Sequence, residues 1–382
     1  MPVPTATFSF PTTIRFGVGS RHGLPGELAA LSARRPLVVT DSGVSTLAWF
    51  ADLVDEVRAA GYDVAVFDGV WGNPVVSQVD AGVAAWRAHD ADVVVAVGGG
   101  AAMDVAKAVA LMATHDGHLF DYEDEVPGAL APTAATAAII AVPTTAGTGS
   151  EVGRSAVISD DDTHIKRIIF GPPLLARVVL ADPQLTVGLP ASITAATGMD
   201  ALTHNVEAYL ARNWNPMCDG IALEGLRLVA ANLERAVAVP DDLEARAGML
   251  MGSMMGAVAF QKGLGVVHSC AHALGTVADM HHGLANAVMI DLALGINVEA
   301  VPERFATMAA VAGCEPGADG FMRWLGELKA SVGIPADLAA LGIDPALESR
   351  LVAVAVADAC HPNNPRPVTA EDFTTIFRRS LS

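Results

Sequence analysis

Short runs rich in β-branched residues punctuate the first half of the chain, at Leu37–Thr40, Val64–Phe67, Val93–Val97, Ile139–Val142 and Val178–Ala181. Helical patterns at Trp49–Ala60 and Val75–His89 stand between the early ones. Strands therefore recur about every thirty residues, the rhythm of βαβ units and a parallel sheet. A further pair, Ser155–Ser159 and Arg167–Phe170, brackets the polar run DDDTHIK and predicts a hairpin laid onto that layer. From about Gly188 the strand signals stop, and Pro190 with Ser192 marks a linker and helix start. Turns at Gly313–Gly317, Gly333–Pro335, Gly342–Pro345 and Pro362–Pro367 then separate helices of roughly ten to twenty residues. The pattern predicts α/β plus all-α: a parallel-sheet domain over residues 1–187 and an all-helical domain over 188–382.

The most apolar helix, Ala247–Phe260, is flanked by Arg246 and Lys262 and is too short to span a bilayer, so it reads as a buried helix. Gly248, Gly252 and Gly256 recur every fourth residue and open a stripe for close approach by another helix. Met249, Met251, Met254 and Met255 read as gap-filling core residues. The N-terminal stretch lacks the basic start and unbroken apolar run of a secretory signal and is interrupted by Pro2, Pro4 and Pro11. A strand over Phe8–Phe16 would pair either across a two-fold axis or within its own sheet.

With 382 residues, 52% of them hydrophobic and 17% charged, the chain can bury two cores. A formal net charge of −19 without a basic run argues against nucleic acid and anionic membranes as partners. Cys218, Cys270, Cys314 and Cys360 show no CxxC spacing and fit a reducing cytoplasm.

The segment KGLGVVHSCAHALGTVADMHHGLANAV holds four of the eleven histidines: His268, His272, His281 and His282. His268 and His272 are spaced i,i+4 and share one helix face, and His281 or His282 follows at a distance that lets a third imidazole return. Upstream, GMDALTHNVEAYL sets Asp200 and His204 four apart on another helix. Two helices, each offering an i,i+4 pair of donor side chains, supply enough groups for a first-row metal. The alternatives are core histidines bonded to backbone carbonyls and an Asp–His bond within a helix.

In the first half, DVVVAVGGGAAMDVAKAVA runs from a buried strand into a helix through Gly98, Gly99 and Gly100. Such a turn lets the backbone approach a pyrophosphate, which the helix N-terminus attracts. The spacing is not GxGxxG, so plain turn geometry stands beside this reading. A second loop, VPTTAGTGSEVG, also follows a strand and offers the hydroxyls of Thr144, Thr145, Thr148 and Ser150. Asp41, after PLVVT, is placed to bond ribose hydroxyls and repel a 2′-phosphate, favouring NAD over NADP; capping the following helix is the alternative.

GGGAAMDVAK, PTTAGTGSEV, TGMDALTHNVEAY and GLGVVHSCAHALG followed by HHGLANAV together resemble the iron-containing, or group III, alcohol dehydrogenase family, which includes lactaldehyde reductase. The resemblance covers nearly the whole chain. It implies a dinucleotide-binding α/β domain, an all-helical domain and an active site in the cleft between them. It implies metal ligands at Asp200, His204, His268 and His282, choosing His282 over His281, and a proton-handling role for His272. Cofactor positions carry over to Asp41, Asn73, Gly99, Gly100, Asp104, Thr144, Thr145 and Lys166. Two departures stand out. Ala101 replaces a serine common after the glycines, and Gly153 stands where many relatives carry a threonine that helps position the cofactor. Cys360, in DACHPNNPRPVT, is expected near the substrate pocket.

The function so implied is hydride transfer between NAD and a small primary or secondary alcohol, or the reverse reduction of an aldehyde or ketone. Fe²⁺ is the family's metal, and Zn²⁺ suits the same three nitrogens and one oxygen. His272 would relay the proton, its alternative being a structural histidine behind the ligands. Family members are often dimers, so a homodimer or higher homo-oligomer is expected. The competing reading is an NAD- and metal-dependent lyase or cyclase of the dehydroquinate synthase-like superfold. Such sites need basic side chains for phosphate, and only Arg212, Arg227, Arg235, Arg246 and Lys262 lie between Asp200 and His282.

Overall fold

A computed structural model describes Phe8–Phe10, residues 12–124 and residues 126–382. Pro2, Pro4 and Pro11, read above as interruptions of a leader pattern, lie outside these residues. The chain divides into two compact units.

The first unit comprises Pro11–Thr145 and Ser150–Thr186. Its elements are β1 (Thr13–Phe16), α1 (Leu24–Ala30), β2 (Pro36–Asp41), α2 (Ala48–Ala59), β3 (Ala65–Val70), α3 (Val76–His89), β4 (Val93–Gly98), α4 (Gly100–Met112), β5 (Ala138–Pro143), β6 (Ser155–Ser159), β7 (Lys166–Phe170) and β8 (Val178–Ala181). Six strands form one wholly parallel sheet in the order β1-β8-β5-β4-β2-β3. Strand β4 explains its own unbroken apolar run. Val93, Val95 and Val97 meet Leu53, Val54 and Val57 of α2 in one core, while α4 packs against the same strand from the chain's next crossover. A strand covered on both faces has no polar alternation to show. The antiparallel pair β6–β7 is a separate two-stranded sheet packed on α4.

Element ends move by a residue or so from the sequence pattern, apart from β3, which runs on from Phe67 to Val70, and two larger corrections. The strand expected over Phe8–Phe16 is confined to Thr13–Phe16 and pairs in parallel with β8 of its own sheet. Ser9 is taken instead by Gln261, whose amide accepts from its N–H at 2.9 Å and donates to its carbonyl at 2.7 Å. The helix read as Ala247–Phe260 begins earlier, at Leu243, because the Asp242 side chain accepts the Ala245 N–H and caps a polar first turn.

The second unit comprises Val187–Ser382 with Ala146–Gly149 and the stretch ending at Phe10. Its helices are α5 (Ala191–Leu210), α6 (Pro216–Ala238), α7 (Leu243–Ala259), α8 (Val266–Ala278), α9 (His282–Leu294), α10 (Pro302–Ala312), α11 (Ala318–Ser331), α12 (Glu348–Ala357) and α13 (Ala370–Ser380). Helix α5 is buried from Thr194 to Leu210 with no polar face left outside, the signature of a helix enclosed by others. It packs on α6, α7 and α9, while α8 packs on α9 and α12.

The glycine stripe of α7 does what its spacing predicts. A Cβ at Gly252 would lie 2.9 Å from Val229 of α6, and one at Gly256 would lie 2.9 Å from the His204 Cβ. Met249 and Met254 are buried, and Met251 and Met255 half-buried. No single helix among the described residues is long and apolar enough to cross a membrane.

Candidate metal centre and cofactor turn

Asp200 and His204 are one turn apart on α5, His268 lies in the first turn of α8, and His282 opens α9. One donor atom from each lies within 4.8 Å of the other three. The His282 Nε2 stands 3.5 Å and the His204 Nε2 4.0 Å from the Asp200 Oδ1. Ligands about 2.1 Å from a shared tetrahedral ion would sit roughly 3.4 Å apart, so the His282–Asp200 pair is already at that spacing and the wider pairs must draw in to hold one.

The donor set also fits a cation on electrostatic grounds. Asp200 is 1% exposed, yet no lysine or arginine among the described residues pairs with it; its partners are imidazoles and the Asn286 amide, 2.7 Å away. A buried carboxylate without a counter-ion is costly, and a bound cation removes that cost. Burial, with His268 alongside, pushes His204 down to about 4 against the opposing pull of Asp200, so its imidazole is neutral and able to donate a lone pair at neutral pH.

His281, left open beside His282 by local spacing, is exposed and its Nδ1 accepts the Leu284 N–H at the start of α9. It is a helix cap, and His282 is the one that joins the cluster.

Three side chains that sequence reasoning passed over support this group. The Glu207 carboxylate accepts the N–H groups of Val267 and His268 and also the His268 Nδ1 proton, at 2.7, 3.2 and 2.7 Å. It thus caps α8 from outside and leaves the His268 Nε2 as the lone-pair nitrogen. Gly265 makes room, since a Cβ there would lie 2.8 Å from the Glu207 Oε1. Asn286, one turn after His282, reaches Asp200, His268 and His282. Asp358 meets the His272 Nδ1 at 2.7 Å. Burial opposes its charge, but His272, the Ser269 hydroxyl and the Cys360 N–H together hold its carboxyl well below the usual carboxylate range. The signal was available for Glu207 and Asn286, which lie on the same helix faces as His204 and His282. For Asp358, far off in sequence, only the motif DACHPNNP hinted.

His272 is not in the four-residue group, but its ring stacks on His282 at 5.5 Å between centroids. Cys360 joins His272 and Asp358 in a second donor cluster.

In the sheet unit, several expected cofactor residues gather at the carboxyl ends of β2, β4 and β5, where open α/β sheets bind ligands. Gly98 has φ 147°, and a Cβ there would lie 2.6 Å from the Ala102 Cβ and 3.1 Å from the Asp41 Oδ2, so only glycine fits. The Thr144 N–H donates to the Gly98 carbonyl at 3.0 Å, and Thr145 borders Gly99, which precedes α4 and its first residue, Gly100. Asp41 does not cap α2, which starts after Leu47; its Oδ1 accepts the N–H groups of Gly43 and Val44 in the turn that follows β2, while Oδ2 faces Gly98.

The remaining positions are more scattered. Asp104 is spent within the fold, accepting the Ser150 hydroxyl at 2.6 Å and the Val157 N–H at 3.0 Å, and so ties α4 to β6. Lys166 opens β7, opposite Ser159, near enough to favour the charge on Asp104. Asn73 lies between β3 and α3, and Thr148 belongs to the segment that groups with the helical unit.

The family model described as iron-containing alcohol dehydrogenase matches residues 11–183, and that of the C-terminal part of Fe-containing alcohol dehydrogenases matches residues 194–381. The chain is 39% identical over 379 residues to 4-hydroxybutyrate dehydrogenase of Cupriavidus necator, covering 97% of this chain and 98% of that one. The crystal structure of a 1,3-propanediol oxidoreductase superposes with a TM-score of 0.93 at 36% identity, over 98% of this chain and 100% of that one. Sulfoacetaldehyde reductase from Bifidobacterium kashiwanohense, solved in complex with NAD⁺, gives 0.91 at 30% identity over 100% of both chains. These relatives are oxidoreductases, and the lyase or cyclase alternative finds no support among them. The chain belongs to the iron-containing alcohol dehydrogenase family and is a metal-dependent oxidoreductase of that class.

Proposed function

We propose that the protein is an NAD-linked dehydrogenase of small primary or secondary alcohols, working in reverse on the matching aldehydes or ketones, with Asp200, His204, His268 and His282 as its metal ligands. When bound, a divalent metal supplies Lewis acidity that lowers the pKa of an alcohol hydroxyl, and NAD supplies the hydride acceptor. The observation that carries the reading is the buried Asp200 carboxylate, grouped with three imidazoles and paired with no lysine or arginine among the described residues. Glu207 fixes the tautomer of His268, and Asn286 holds the Asp200 carboxylate. His272, beside His282, takes the proton released from the hydroxyl.

The Gly98–Gly100 turn offers backbone N–H groups and the α4 N-terminus to a pyrophosphate, and Asp41 disfavours a 2′-phosphate, which supports NAD over NADP. A small neutral substrate is supported by where four of the five cations between Asp200 and His282 go. Arg227 and Arg235 pair with Glu224 and Asp242, Arg246 bonds to the Pro240 carbonyl and Thr194, and Lys262 is taken by Asp219 and the Tyr209 carbonyl. Short diols, named by one relative, join simple alcohols as candidates, and hydroxy acids, anions that these engaged cations do not favour, serve as the contrast in a screen. Fe²⁺ is the expected metal and Zn²⁺ the alternative. A homodimer or higher homo-oligomer is proposed, and four free thiols suit a cytoplasmic setting.

Metal analysis of the purified protein, with an NAD-linked screen over alcohols, diols and hydroxy acids, tests this reading. His268→Ala should lose the metal and turnover while still binding NAD; an active, metal-free variant would overturn the ligand assignment.

A further inference from the structure

The C-terminal segment after α12 reaches back to α8 through one carboxylate. Asp358 receives three hydrogen bonds, and they are not equivalent. Its Oδ1 accepts the Ser269 hydroxyl at 2.7 Å and the Cys360 N–H at 2.9 Å, whereas its Oδ2 meets only the His272 Nδ1, at 2.7 Å. Ser269 is held in turn, its oxygen accepting the His361 N–H at 3.0 Å. The carboxylate therefore cannot rotate without giving up two donors. An ionised carboxylate only accepts, so the His272 Nδ1 carries the hydrogen and Nε2 presents its lone pair. Among the described residues Nε2 makes no hydrogen bond, and the side chain keeps 23% exposure.

We propose that Asp358 is a positioning residue for proton transfer: clamped by Ser269 and the Cys360 N–H, it holds His272 in the tautomer and orientation in which Nε2 accepts the hydroxyl proton of the alcohol. The proposal rests on the alcohol dehydrogenase reading above. As the C–H electron pair leaves with hydride to an oxidant of the nicotinamide class, the O–H pair becomes the second C=O bond. The proton goes to Nε2 and from there to solvent.

The same geometry makes Asp358→Asn a sharp test. The asparagine oxygen must stay at the Oδ1 position to keep accepting from Ser269 and Cys360, which turns the NH₂ toward the His272 Nδ1. That nitrogen must then accept, and Nε2 becomes the protonated one. With metal content unchanged, we expect kcat to fall about 10²-fold and KM to move little. His272→Ala with and without Asp358→Asn should have equal kcat, because Asp358 acts through the ring. Nitrogen-15 NMR of histidine-labelled protein, without metal and at alkaline pH, should show Nδ1–H for His272 in the wild type and Nε2–H in the variant. Wild-type kcat in Asp358→Asn, a double variant much slower than His272→Ala, or an Nε2–H tautomer in the wild type would each overturn the proposal. The last measurement decides even if the variant fails to fold. If the wild type turns over no alcohol with NAD, the functional reading falls, while the NMR result still reports on Asp358.

Discussion

The Glu207 Oε2 lies 2.7 Å from the His268 Nδ1, with both side chains almost fully buried, and the same carboxylate also holds two backbone N–H groups of α8. A single acceptor thus fixes a helix start and a ring nitrogen at once. Glu207→Gln places an amide NH₂ among three donors and can satisfy only part of them. Metal affinity should fall about 10- to 100-fold, as when other outer partners of ligating histidines are removed. Competition with a chelator measures it, and unaltered affinity would show that His268 needs no such support.

The metal-free protein should lose stability as the pH falls from about 6.5 toward 4. Burial lowers the His204 pKa to about 4, so across this window the unfolded chain takes up a proton that the folded one does not. The loss attributable to His204 levels off near pH 4 at about 3–4 kcal/mol, each pKa unit being worth about 1.4 kcal/mol. Urea titrations of metal-free wild type and His204→Asn across this range isolate it, because the variant lacks the slope. Parallel slopes would mean that His204 is readily protonated in the folded state.

Gly256→Val should cost about 1–3 kcal/mol or more, the range for overpacking a filled core. A Cβ at this position would press on the His204 Cβ at 2.9 Å, the Asn205 Nδ2 at 2.8 Å and the Ala201 carbonyl at 3.3 Å. Because α5 would have to yield where it carries His204, metal content should fall along with the melting temperature. A destabilised variant with full metal content would show that α7 gives way and α5 does not.

What the sequence makes legible follows from how local each cause is. Val93–Val97 reads as a buried strand because both faces are covered, and Asp200, His204, His268 and His272 read as facing pairs because a helix fixes i,i+4 neighbours. His282 could not be told from His281 by spacing, since a helix start lies between them and only packing decides which ring turns inward. Asp104 carries the cofactor expectation by motif, yet its oxygens are engaged by Ser150 and Val157, partners that no local pattern reveals. The excursion of Ala146–Gly149 to the helical unit is equally silent in sequence. There Ser253 meets it, its hydroxyl donating to the Gly147 carbonyl at 3.0 Å across a long sequence separation.

Gly153 is the departure most open to repair. A Cβ there would meet nothing closer than the Ser150 carbonyl at 3.4 Å, an ordinary contact, and its backbone is not in the left-handed region that reserves a site for glycine. Gly153→Thr should therefore place its Cβ without backbone strain, with the Lys107 Nζ, 3.8 Å from that Cβ, as the group its γ atoms must clear. If NAD binds beside the Gly98–Gly100 turn, the new hydroxyl restores a hydrogen bond worth about 0.5–1.5 kcal/mol, and the KM for NAD should drop about 2- to 10-fold with kcat little changed. Ala101→Ser, on the half-buried start of α4, tests the other missing bond independently, and the two effects should add if the side chains touch different parts of the cofactor. An unchanged KM in both variants would place the dinucleotide elsewhere than this turn.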